Sequence, residues 1–110
     1  MMGFLQKIST WFHHRDRRTH VRYEIPRLTI THDGVDYRTT DWSLGGFKLD
    51  EFRATLRVGK KLEGKIRLEG SEKGVFSAEI VKIGDSGSIS VRFLAITPSV
   101  FLAMGGLSIL

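Results

Sequence analysis

Between Leu28 and Phe93 hydrophobic residues recur at alternate positions, and glycine-bearing breaks interrupt them at short intervals. A period of two puts successive side chains on opposite faces of an extended chain, so the pattern predicts half-buried strands. Leu28, Ile30 and His32 alternate with Arg27, Thr29 and Thr31. "HDG" at 32–34 follows, and Asp-Gly suits the positive φ angles of a tight hairpin turn. Val35, Tyr37 and Thr39 alternate with Asp36, Arg38 and Thr40 on the way back.

"DWSLGG" (41–46) breaks this alternation with two glycines, and "FKL" (47–49) resumes it before a loop that runs to about Val58. Leu62, Ile66 and Leu68 alternate with Lys65 and Arg67. "GSEKG" (70–74) reads as a turn, Phe76 to Ile83 as a longer strand, "GDSG" (84–87) as another turn, and Ile89, Val91 and Phe93 as the last strand. Six short strands joined by glycine-rich turns predict an all-β fold, a small six-stranded antiparallel β-barrel or a sandwich, and closure into a barrel would also remove exposed edges.

Helical signals occur only at the two ends. Phe4, Leu5, Ile8, Trp11 and Phe12 have the spacing of one helical face, with Gln6, Lys7, Ser9 and Thr10 opposite, so residues 1–14 hold a short amphipathic N-terminal helix. Packing on the barrel or on a neighbouring subunit is the favoured use of that face. Membrane contact through residues 3–12, anchored by Trp11, Lys7 and Arg15, is disfavoured because the helix carries few basic residues. At the other end "TPSVFLAMGG" predicts a C-terminal helix over about 98–104. Thr97 would cap it, Pro98 would open it and Gly105 would stop it, with Val100, Phe101 and Met104 towards the barrel. Residues 15–110 thus form one barrel domain with its closing helix.

At 110 residues the chain suits a single modest core, and 41% hydrophobic with 26% charged residues argues against wholesale disorder. It has no cysteine, so disulfides and thiolate metal sites are excluded. No apolar run approaches the roughly 18–20 residues that span a bilayer. "MMGFLQKISTWF" is too polar and short for a secretory signal, so the expected location is cytoplasmic. No P-loop or dinucleotide fingerprint is present, and no nucleophile stands beside an evident base, so the chain is not expected to be an enzyme. His13, His14 and His20 lack acidic partners and sit among arginines that repel a cation, which argues against a metal site.

Charge is the most uneven property of the chain. Residues 1–32 hold six basic residues against Asp16 and Glu24, which accounts for most of the net +5. The density peaks in "RDRRTHVR" (15–22). Arginine's planar fork donates two parallel hydrogen bonds to a phosphate or to the O6 and N7 edge of guanine, and it stacks on bases. A solvated basic face is the ordinary fate of such a run. "DWSLGG" is the second unusual segment. Asp41 is an acceptor suited to the N–H edge of guanine, Ser43 can donate to a phosphate or base, and Gly45 and Gly46 would let backbone come close to a ligand. Alone it also fits an ordinary strand-end turn.

Taken together, Arg18-xxx-Arg22 and Asp41-x-Ser43-xx-Gly46 resemble the RxxxR and (D/N)xSxxG motifs of the PilZ domain family, matching at every motif position. The resemblance covers roughly residues 15–104, including the final strand "SVRFLAI" and the closing helix, and leaves out only the N-terminal helix. It implies a barrel that binds cyclic di-GMP. Arg18 and Arg22 would grip guanines and phosphates, Asp41 and Ser43 would contact guanine or phosphate, and the glycines at 45 and 46 would admit the ligand. In that family an arginine just before RxxxR goes with an intercalated ligand pair, so Arg17 implies two cyclic di-GMP molecules per protomer. No other cofactor is implied. The resemblance further implies a receptor or adaptor whose arginine segment orders over the ligand and signals to a downstream protein that no motif identifies, with oligomer formation open.

Two rival readings remain at this level. A basic barrel binding single-stranded nucleic acid would use Tyr23, Tyr37, Trp42, Phe47 and Phe76 as stacking surfaces, although most of these suit a core and the charge is confined to one end. Nucleic acid is therefore not an expected partner. A PilZ-like scaffold that binds only protein ranks below both, because all the motif residues are present.

Overall fold

The computed structural model describes residues 21–109. The N-terminal helix expected over 1–14, and Arg17 and Arg18 of the arginine segment, lie outside the described residues. One antiparallel sheet holds seven strands: β1 (Leu28–His32), β2 (Val35–Arg38), β3 (Asp41–Ser43), β4 (Gly46–Leu49), β5 (Lys61–Leu68), β6 (Lys73–Ile83) and β7 (Ile89–Ile96), in the order β2-β1-β5-β6-β7-β4-β3. A single helix, α1 (Pro98–Ile109), follows β7. The expected all-β class is found, but the six-stranded count is corrected to seven.

The extra strand arises because the segment 35–43 divides at Thr39 and Thr40. Thr39 N–H donates to the Leu28 carbonyl at 3.0 Å, and Thr40 N–H donates to the Lys48 carbonyl at 2.9 Å. Two adjacent residues therefore bond to β1 on one side and to β4's strand on the other. The edge strands β2 and β3 are consecutive in the chain, and the sheet curls into a half-barrel whose edges meet through this joint. Thr39 is fully buried, and its hydroxyl accepts from Leu28 N–H at 3.0 Å, so the joint leaves no unpaired polar group there.

Local chemistry explains most of the ladder. The Asp33–Gly34 pair has φ values of 50° and 75°, the positive angles that a two-residue hairpin demands, and His32 faces Val35 across it. Leu62, Ile66 and Leu68 point inward from β5 as their alternation requires. β6 begins at Lys73, three residues before Phe76, so "GSEKG" turns early and its last two residues already pair with β5.

Strict alternation fails twice. Ala78 pairs with Phe93 while Ser77 pairs with Ala95, so Leu94 is an extra residue in β7. Likewise Ile80 pairs with Val91 and Lys82 with Ser90, which leaves Val81 extra in β6. Each bulge resets the pleat. The first lets Phe93 and Ile96, three positions apart, both turn into the core. The second leaves Val81 and Lys82 both facing solvent.

Trp42, Phe47, Phe93, Leu28, Ile30, Leu49 and Ile80 fill the interior. α1 covers one end with Val100 and Met104 buried and Phe101 partly so, as its sequence predicts. Two details differ from expectation. The Thr97 hydroxyl accepts from Val75 N–H at 2.8 Å, tying the helix start to β6 instead of capping it. The helix also runs to Ile109 through Gly105 and Gly106, because the residues beyond them carry no breaker and extend the apolar run.

The two sides of α1 predict a clear contrast. Met104→Ala should cost about 2–5 kcal/mol in chemical denaturation, from lost burial plus a cavity. Leu102→Ala, at a side chain 66% exposed, should stay within about 0.5 kcal/mol.

Candidate functional site

Trp42 organises the site. Its ring is wholly buried, its indole N–H donates to the Pro26 carbonyl at 2.6 Å, and it stacks at a tilt on Tyr23 with centroids 4.9 Å apart. Tyr23 and Trp42 also exchange backbone hydrogen bonds of 2.7 and 2.9 Å, an isolated antiparallel bridge outside the main ladder. Because Trp42 points inward, its neighbours Asp41 and Ser43 lie on the opposite side of the strand. The same bridge fixes the residue before Tyr23, and Arg22 Nε donates to Asp41 Oδ1 at 2.7 Å, with Nη2 on the same oxygen.

The two motif segments therefore meet, nineteen positions apart in sequence. The ion pair is partly solvated, with side-chain exposures of 51% and 25%, so its net contribution to stability is at most about 1 kcal/mol. Arg22 and Asp41 are thus presented by the fold but not required by it.

Ser43, Gly45 and Gly46 occupy the β3–β4 hairpin, so "DWSLGG" is a paired hairpin where a break in the strand pattern was expected. The Ser43 side chain is 2% exposed, and its oxygen accepts from Gly45 N–H at 3.1 Å, which shapes the turn and leaves its own O–H to donate. Gly45 accepts from Phe93 N–H at 2.9 Å. Gly46 lies flat on β7. A Cβ there would stand 1.9 Å from the Val91 carbonyl oxygen. The neighbouring strand itself demands glycine at position 46, a constraint that acts alongside the close approach to a ligand expected of it.

Arg22, Asp41, Ser43, Gly45 and Gly46 line one groove of about 610 Å³, within the range of small-molecule sites. The groove also takes in Lys48, Val81, Lys82, Ser90 and Arg92, which the sequence reading passed over. Arg92 is held by Glu79 at 2.6 Å. These residues come from β4, β6 and β7, and only the register brings them together. Read alone, each is an ordinary outward-facing residue of an alternating strand. Four cations against Asp41 give the groove a positive lining.

Of the aromatic residues weighed as stacking surfaces, Trp42, Phe47 and Phe76 are buried in the core, and Tyr23 and Tyr37 pack against it. None of the five therefore presents a fully exposed ring of the kind on which single strands stack.

No family model matches the chain, and no curated protein does. Solved structures do. The fold is that of PilZ-type domains, as the motif resemblance implies. One match is the inhibitor of motility MotI/DgrA of Bacillus subtilis, with a TM-score of 0.68 and 17% identity over 86% of this chain and 51% of that one. Another is YcgR of Escherichia coli, solved in complex with c-di-GMP, with a TM-score of 0.63 and 22% identity over 86% of this chain and 45% of that one. The chain spans about half the length of either structure, and at these identities the likeness is one of fold.

Gly46→Ala should lower the stability of the ligand-free protein by about 2 kcal/mol or more, because the methyl group meets strand backbone that cannot swing aside. A thermal melt without any ligand checks this. An unchanged melt would return Gly46 to a purely ligand-facing role.

Proposed function

We propose that this chain is a PilZ-family receptor for cyclic di-GMP, with a binding and signalling role and no catalytic one. The observation that carries the reading is the meeting of Arg22 with Asp41 at a positively lined groove floored by the Ser43–Gly46 hairpin. The two motif segments are far apart in the chain, and a solvated basic run has no need of a paired carboxylate beside a groove. The fold shared with YcgR, whose structure holds c-di-GMP, supports the same reading.

The chemistry follows from the side chains. Cyclic di-GMP presents two anionic phosphates and two guanine edges. Arg22 supplies a bidentate donor for a phosphate or for guanine O6 and N7, and Asp41 supplies acceptors for the guanine N–H edge. Arg22 and Asp41 satisfy each other across the groove, so ligand binding would redirect a pair that already has the right groups at the right place. Arg18 completes the RxxxR motif, and Arg17 adds a guanidinium for an intercalated second ligand. The arginine segment would order over the bound ligand, and that would change the surface shown to a downstream protein in the bacterial cytoplasm.

Calorimetric titration tests the reading. Wild type should bind cyclic di-GMP in preference to GTP, and Arg22→Ala should weaken binding at least about tenfold, the loss of one charge-assisted contact. Affinity within about twofold of wild type would remove Arg22 from the site. The same titration should give two ligands per protomer. A stoichiometry of one would overturn the role assigned to Arg17.

A further inference from the structure

The groove continues past the motif residues along a row the motifs do not include. Across the outer face, Asp41 pairs with Lys48, Lys48 with Ser90 and Ser90 with Lys82, so four strands contribute one residue each. Neighbouring strands stand about 4.8 Å apart, so Lys48 and Lys82 flank Ser90 with about 10 Å between their backbones. Four-carbon stems allow both ammonium groups to lean over the hydroxyl between them.

Two features mark this row as more than a solvated face. Lys82 faces outward because of the Val81 bulge. In an unbroken strand only Val81 would face outward after the fully buried Ile80, and Lys82 would point to the core. Among the described residues neither Lys48 nor Lys82 forms an ion pair, although Asp50 and Asp85 line the adjoining cleft of about 380 Å³ with them. The other two cations of the groove, Arg22 and Arg92, each hold a carboxylate. Two like charges are thus set on either side of a hydroxyl, without an acidic partner, in the wall of the same groove.

We infer that Lys48, Ser90 and Lys82 form a phosphate subsite that holds a phosphodiester of the cyclic dinucleotide engaged by Arg22 and Asp41. The inference rests on the receptor reading above. Lysine is suited to this position because an ammonium group is a point charge that takes a phosphate oxygen from many directions, and the serine O–H adds a directed donor. Arg22 and Asp41 then provide the planar recognition that guanine needs, and the lysine row provides charge.

The test is titration of cyclic di-GMP into wild type, Lys48→Gln/Lys82→Gln, and Arg57→Gln/Lys61→Gln, at low and high salt. The last variant removes the same net charge from exposed positions outside the groove. The groove variant should bind at least about tenfold more weakly than wild type at low salt and lose most of the salt dependence, while the control stays within about twofold. Equal thermal melts establish that all three are folded. If wild type binds and the groove variant matches the control, the subsite is refuted and the receptor reading stands. If wild type does not bind, the receptor reading fails and the subsite with it.

Discussion

The site depends on the anchoring of Trp42. A buried indole with a satisfied N–H, stacked on Tyr23 and bridged to it through both backbones, fixes the segment that enters the sheet against the third strand. Everything the groove presents near its mouth follows from that fixed point. Asp41 and Ser43 face away from the core because the residue between them faces into it. Arg22 meets Asp41 because it precedes the bridged tyrosine. A short exposed ion pair could not hold these segments together by itself. A buried aromatic side chain can, and the ion pair forms where the burial leaves it.

The remainder of the groove is a product of sheet register. Lys48 lies on β4, whereas Lys82, Ser90 and Arg92 lie on the consecutive strands β6 and β7 much later in the chain. Their common face exists only once those strands are paired, and for Lys82 only once β6 has bulged. This face adjoins the mouth where Arg22 and Asp41 sit because β4 pairs directly with β3, Lys48 standing opposite Asp41.

Strand positions were legible in the sequence where alternation was regular and the turn chemistry explicit, as at Asp33–Gly34 and along β5. The inward residues of α1 were legible for a similar reason. Three features were not. β3 is three residues long and sits in a glycine-rich stretch, so period two had too few positions to register. The bulges at Val81 and Leu94 break the periodicity on which the reading depends. The helix end was misplaced because glycine in a helix is costly but not prohibitive, and the apolar residues after Gly106 favour continuing. For the site, Asp41, Ser43 and Arg22 stood out by motif, whereas the lysine row gave no signal because outward lysines are the commonest residues on any exposed strand.

The glycine at position 46 has a wider consequence. A sequence signature is usually taken as a single credential, but its residues here answer to different constraints. Trp42 and Gly46 are demanded by the architecture, and a chain of this fold that bound no ligand would still need them. Arg22 and Asp41 contribute little to the fold, so in a receptor of the kind proposed their reason to persist would be ligand binding. On the receptor reading, the charged pair is the informative witness to function in chains of this shape, and the glycine testifies that β4 still lies against β7.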